Sequence, residues 1–201
     1  MRLVIGISGS SGSIYGIRLL EVLRGMPELE THLIISAAAK RTVLEETDYS
    51  IKEVEALATH VYDNRDIGAT LASGSFRTGG MIIAPCSIKT VSALANCYAD
   101  TLMCRAGDVT LKEGRPLMVV VRETPLHAGH LRQLLALAEL GAVIFPPVPA
   151  FYARPKTVED IVNHTVGRML DRLGIPQNLT TEWTGGNRRR GEKGKGESEN
   201  K

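Results

Sequence analysis

A three-layer α/β domain, with helices on both faces of a mainly parallel sheet, is the fold class this chain predicts. Two observations carry it. Short apolar runs (RLVIGI, THLIIS, MIIAP, LMVVV) alternate with stretches of helical periodicity. That is the pattern of strands buried on both faces and linked by covering helices. The 201 residues, 43% hydrophobic and 23% charged, suffice for one domain with a sizeable core.

Taken in order, Arg2–Ile7 is a first strand that runs into a Gly- and Ser-rich turn. Residues 12–24 carry Ile14, Ile17, Leu20 and Leu23 at helical spacing and predict a helix. A second strand spans 31–36, and 38–46 and 51–58 read as helices. MIIAP at 81–85 is a buried strand followed by a helix opening near Ser87. LMVVV at 117–121 is another strand, followed by a helix across 131–140 and a further strand at 142–145. The last helix, 158–173, sets Ile161, Thr165, Met169 and Leu173 on one face. Two segments break the alternation: the Gly/Ser/Ala-rich 64–80 and the proline-stiffened 146–155. Both loops are expected beyond the carboxyl ends of the strands, where open α/β sheets bind ligands.

The turn Gly9-Ser10-Ser11-Gly12 is the first candidate site. Small residues let backbone N–H groups approach an anion, and the following helix N-terminus adds partial positive charge. The turn is neither GxGxxG nor a P-loop. A dinucleotide fold also wants an acidic residue at the end of the second strand, for a ribose hydroxyl. Ser36-Ala37-Ala38-Ala39 stands there instead and argues against NAD. Ser87, Ile88, Lys89 and Thr90 supply a second hydroxyl-lined helix start. The pair suits a mononucleotide, with the folds of Rossmann and flavodoxin type as the nearest architectures.

Charge excludes a nucleic-acid role for the body. The tail 185–201 has six Lys and Arg against three Glu, so the rest of the chain carries −1 of the total +2. Residues 1–184 are read as the domain, and the tail, of mixed sign and without apolar residues, as disordered. Trp183, the sole tryptophan, is read as an anchor or core residue. Cys86, Cys97 and Cys104 form no CxxC pair, no leader is evident and no apolar run spans a bilayer. A reducing, cytoplasmic setting is expected. His127 and His130, at i and i+3, lack a third ligand and are read as helix surface or core. Arg105, Lys112, Arg122, Glu123 and Arg168 lie near strand or helix ends and, with Tyr152, suggest a second phosphate site. Ordinary surface ion pairing remains the alternative for each.

The ordered motifs, taken together, resemble the flavin prenyltransferase family (UbiX-like proteins, once called phenylacrylic or hydroxyarylic acid decarboxylases). They are GSSGSIYG at 9–16, Glu46-Thr47-Asp48, Ala72-Ser73-Gly74-Ser75, Pro85-Cys86-Ser87, Arg105, Asp108-Val109, Leu111-Lys112-Glu113, Pro125-Leu126, His130-Leu131 and Pro149-Ala150-Phe151-Tyr152. The match runs from Arg2 to about Trp183. The resemblance implies transfer of a dimethylallyl group from dimethylallyl phosphate to N5 and C6 of reduced FMN, without a metal. The prenylated FMN would serve a UbiD-type decarboxylase, and the enzyme would form large homo-oligomers, often dodecamers.

By the same resemblance, Gly9, Ser10, Ser11, Ser36, Ser87 to Thr90 and Arg105 surround FMN, and Glu46 is the acid near flavin N5. Lys112, Arg122 and Glu123 are further catalytic groups, and Tyr152 and Arg168 bind the donor. Three places depart from the family pattern: Ile67, His127-Ala128-Gly129 and Arg132-Gln133. An FMN-dependent decarboxylase of cysteine-containing peptides or phosphopantothenoylcysteine, and a non-catalytic FMN carrier, are the alternatives.

Overall fold

The computed structural model describes residues 1–180. Trp183, the 184/185 boundary and the basic tail lie outside the described residues. The strands are β1 (Arg2–Ile7), β2 (Glu30–Ile35), β3 (His60–Asp63), β4 (Met81–Cys86), β5 (Leu117–Val121) and β6 (Val143–Ile144). All neighbours are parallel, in the order β3-β2-β1-β4-β5-β6. The helices are α1 (Ser13–Arg24), α2 (Ala37–Glu46), α3 (Ile51–Glu55), α4 (Ile88–Ala95), α5 (Leu102–Lys112), α6 (Ala128–Glu139) and α7 (Val158–Arg172).

The pleat divides the core in two. Leu3, Ile5 and Ile7 of β1 face one layer, with Ile17 and Leu20 of α1 and Val166 and Leu170 of α7. Val4 faces the other, with Leu94 of α4, Leu102 and Met103 of α5 and Leu137 of α6. Alternate residues of a strand point to opposite faces, so a central run must be apolar throughout. The burial of β4 and β5 along their whole length follows.

Two elements go beyond those that periodicity predicts. β3 is a sheet-edge strand whose residues are mostly exposed, so it has no apolar alternation. α5 opens on Thr101, whose side chain accepts the Cys104 N–H, and buries seven of its residues, Gly107 and Thr110 among them. α6 starts at Ala128, ahead of the expected 131, because His127 Nδ1 accepts the Gly129 and His130 N–H groups. α7 buries Val162, Thr165, Val166, Met169 and Leu170, so Thr165 and Met169 of the expected face point inward while Ile161 and Leu173 lie at its margins.

The 64–80 loop corrects an expectation. It leaves β3 at the carboxyl edge but must return to the amino edge to enter β4 in parallel. Gly79 N–H already donates to the Arg2 carbonyl at the start of β1. Only its first residues therefore flank the carboxyl ends. The 146–155 loop follows β6 directly and does begin at that edge.

Candidate active site

The strand order reverses between β1 and β4, because the chain winds outward to β3 and then crosses back. This is the crevice where doubly wound sheets hold ligands. Ser8 ties its walls together: the buried hydroxyl donates to the Pro85 carbonyl at 3.0 Å and accepts the Ser87 N–H at 2.7 Å. Ser8 opens the Ser/Gly turn that follows β1 and is not among the site residues the sequence predicts.

Beyond Ser8 the turn presses on α2. A Cβ at Gly9 would lie 2.3 Å from Ala38 Cβ, so only glycine allows this approach. Gly12 has φ of +100°, the left-handed region, and precedes the first residue of α1. Between them, the Ser10 hydroxyl is buried and has no hydrogen-bond partner. Buried hydroxyls are nearly always satisfied, so this one marks a place shaped for a polar ligand.

Three helices begin around this turn, because β2, β1 and β4 are neighbours. Ser36 caps α2 by accepting the Ala39 N–H at 3.1 Å. Ser87 caps α4, accepting from Thr90 N–H at 3.4 Å, and shares a 3.1 Å hydroxyl contact with Thr90. None of α1, α2 and α4 has an acidic residue in its first turn. Their partial positive charges therefore add at one edge. Ile88 is half-buried, Lys89 is exposed and Thr90 is buried in the first turn of α4.

Glu46 is the last residue of α2 and reaches back to α1. Its carboxylate accepts from Gly12 N–H at 2.8 Å, and from Ser13 N–H and Ser13 hydroxyl at 3.4 and 3.3 Å. Burial tends to raise its pKa. Hydrogen bonds from the Ser11 hydroxyl, the Gly12 and Ser13 amides and the Ser13 hydroxyl outweigh that and hold it below the ordinary carboxylate range. An ionised carboxylate thus stands beside the turn, and it occupies the Gly12 and Ser13 amides. A phosphate bound here must draw on Ser10 and on the starts of α2 and α4.

The remaining predicted residues are dispersed. Arg122 and Glu123 follow β5 at the carboxyl edge, and both are exposed. Arg122 acts electrostatically on Tyr15 of α1; burial raises the Tyr15 pKa, while Arg122 and a hydrogen bond with Thr165 oppose the rise. Tyr152 meets His164 of α7 at 3.3 Å, and Arg168, one turn on, pairs with Asp171 at 3.1 Å. Arg105 lies in the second turn of α5, holding the Ala72 carbonyl and Asp108.

Lys112 is not brought to the turn. It ends α5, pairs with Glu113 and lies beside Gly74. The chain then turns at Gly114 into β5, with the Pro116 carbonyl accepting from the first residue of β4. Lys112 therefore sits at the amino edge, across the sheet from Glu46. Of the departures, Ile67 is exposed, and Gln133 accepts from Asn96 at 2.8 Å. Tyr15, which stands inside the motif at 9–16, and His164 and the buried Thr165, which carried no motif, also lie at this edge.

Comparison with known proteins gives the arrangement its relatives. A family model described as Flavoprotein matches residues 1–170. The chain is 56% identical over 186 residues to the flavin prenyltransferase UbiX of Escherichia coli (strain K12), covering 92% of this chain and 98% of that one. A dodecameric FMN-dependent UbiX-like decarboxylase from Escherichia coli O157:H7 superposes with a TM-score of 0.90 at 49% identity, over 92% of this chain and all of that one. AnUbiX (PadA1), solved in complex with FMN and dimethylallyl pyrophosphate, gives a TM-score of 0.90 at 45% identity, covering 92% and 98% of the two chains. The chain belongs to the flavoprotein family and, within it, to the flavin prenyltransferases of UbiX type.

Proposed function

We propose that this protein transfers a dimethylallyl group from dimethylallyl phosphate to N5 and C6 of reduced FMN. The observation that carries the reading is the buried, unpartnered Ser10 hydroxyl among three helix N-termini, beside a hydrogen-bonded carboxylate, Glu46. Bound reduced FMN supplies the electron-rich ring that accepts the prenyl carbon. Ser10, the start of α2 at Ser36 and the start of α4 at Ser87, Ile88, Lys89 and Thr90 hold the flavin phosphate, with Gly9 and Ser11 allowing close approach. Arg105 completes the flavin contacts.

Glu46 takes up the proton released when N5 is alkylated. Glu46 is ionised at neutral pH and so able to accept that proton, although the hydrogen bonds that lower its pKa also make it a weaker base than an ordinary glutamate. Arg122 stabilises the departing phosphate at the same edge, with Tyr152 and Arg168 supporting the donor and Glu123 orienting Arg122. Lys112 reaches this chemistry from a neighbouring copy of the chain. Three things support that: its amino-edge position, the dodecameric relative and the exposed Leu131 and Leu135 of α6.

The prenylated product passes to a UbiD-type decarboxylase, and the reaction runs in the cytoplasm. Among the described residues no helix is long and apolar enough to cross a membrane. Anaerobic incubation with reduced FMN and dimethylallyl phosphate, followed by flavin mass measurement, tests the proposal. The expected result is a flavin heavier by one prenyl group; an unchanged flavin mass would overturn it.

A further inference from the structure

We propose that Glu30, His32 and His60 form a binding site for one zinc-class divalent cation, clamping β3 to β2 at the amino edge of the sheet. The parallel register pairs His32 directly with His60. Glu30 lies two residues before His32 and so shares its face. The Glu30 carboxylate approaches His60 Nε2 at 2.8 Å and His32 Nε2 at 3.7 Å. One ligand atom from each residue lies within 4.8 Å of the others, and the two imidazoles stack with centroids 4.8 Å apart.

The surroundings decide which nitrogen faces the cluster. His32 is 1% exposed, and its Nδ1 lies 2.9 Å from the Tyr62 hydroxyl, which is itself 3.4 Å from Thr70 Oγ1. Nδ1–H donating to Tyr62, with Tyr62 donating onward to Thr70, satisfies every group in that chain. The lone pair of His32 then sits on Nε2, which is buried and has no hydrogen-bond partner. It faces a carboxylate oxygen at 3.7 Å. The buried Nε2 lone pair and the part-exposed Glu30 oxygen are then two acceptors facing each other, and a cation between them relieves the repulsion. In the other tautomer Nε2–H would face that oxygen from beyond hydrogen-bond reach, leaving a buried donor unsatisfied.

Outer contacts orient the set as they do in known metal sites. Tyr62 fixes the ring of His32. Arg2 Nε holds the second Glu30 oxygen at 3.1 Å, leaving Oε1 for the cluster. The Arg2 charge opposes a bound cation, but it is directed at that other oxygen and stacked over Phe76. Two imidazoles and one carboxylate suit zinc rather than magnesium or calcium, with solvent in the fourth position. Bonds of about 2.0–2.1 Å put tetrahedral ligand atoms roughly 3.3 Å apart. Half-exposed His60 and Glu30 reach that spacing by small side-chain shifts. The site does not rest on the prenyl-transfer reading.

The full-length protein, stripped with a chelator, is titrated with zinc sulfate by calorimetry, and with cobalt(II) to follow tetrahedral absorption bands. One equivalent of zinc per chain and a rise in Tm are expected. His60→Ala, at an exposed position that does not threaten folding, and Glu30→Gln each weaken binding about tenfold or more. A His127→Ala/His130→Ala double variant retains it. Absence of zinc binding, or binding and Tm shift equal in wild type and His60→Ala, would overturn the proposal.

Discussion

Replacing Ser10 by alanine should move stability and flavin affinity in opposite directions. The Ser10 hydroxyl is buried without a partner, so the folded protein carries the desolvation penalty of an unsatisfied polar group, about 1–3 kcal/mol. Ser10→Ala removes that penalty and only one atom of packing. Stability is therefore expected to stay level or rise by up to about 1 kcal/mol in urea unfolding. With flavin present the balance reverses. A hydroxyl bonded to a charged phosphate contributes about 1.5–3 kcal/mol, so FMN affinity should fall roughly 10- to 100-fold. Flavin fluorescence titration reads the second quantity. An FMN affinity within about twofold of wild type would remove Ser10 from the site. A stability loss beyond about 1 kcal/mol would show that the hydroxyl is already bonded within the protein.

Glu46→Gln keeps an acceptor oxygen at the start of α1 but loses the charge. Since Glu46 is exposed in the single chain, the stability loss should stay below about 1 kcal/mol. Prenyl transfer should slow about 10²- to 10⁴-fold with FMN still bound, and unchanged turnover would leave Glu46 as a helix cap alone. The folded Glu46 pKa is depressed, so its stabilisation is present above the unfolded value of about 4.3 and fades as pH falls through the folded value. The stability gap between wild type and Glu46→Gln should accordingly close below about pH 4, measured by denaturant unfolding across pH. Gly16→Ala sets helix propensity, a gain of about 1 kcal/mol, against a Cβ only 2.2 Å from the Ala84 carbonyl oxygen. Backbone cannot yield as a side chain does. A net loss of about 1–3 kcal/mol is expected, and a raised Tm would refute the close packing of α1 on β4.

The alternation of strands and helices was legible because β1, β4 and β5 are buried on both faces. Their composition alone marks them. β3 was not legible, since an exposed edge strand of four residues has no apolar signature. The α7 pattern gave the helix and part of its inner face, Thr165 and Met169, while packing against α1 and β1 also turns Val162, Val166 and Leu170 inward. The turn at 9–12, Ser36 and Ser87 were legible as helix starts, since capping chemistry is local.

The sequence by itself determined the α/β class, the anion-binding turn and the family, all of which rest on short-range pattern. Only the tertiary structure decided which of those residues meet. It bends Glu46 from the end of α2 onto the start of α1, and it carries Lys112 down α5 to the far edge of the sheet. It also sets His60 beside His32 and Glu30 through strand register. Each of these pairs lies dozens of residues apart or on opposite ends of one element. Their distances are fixed by crossover direction and register, which no local spacing encodes.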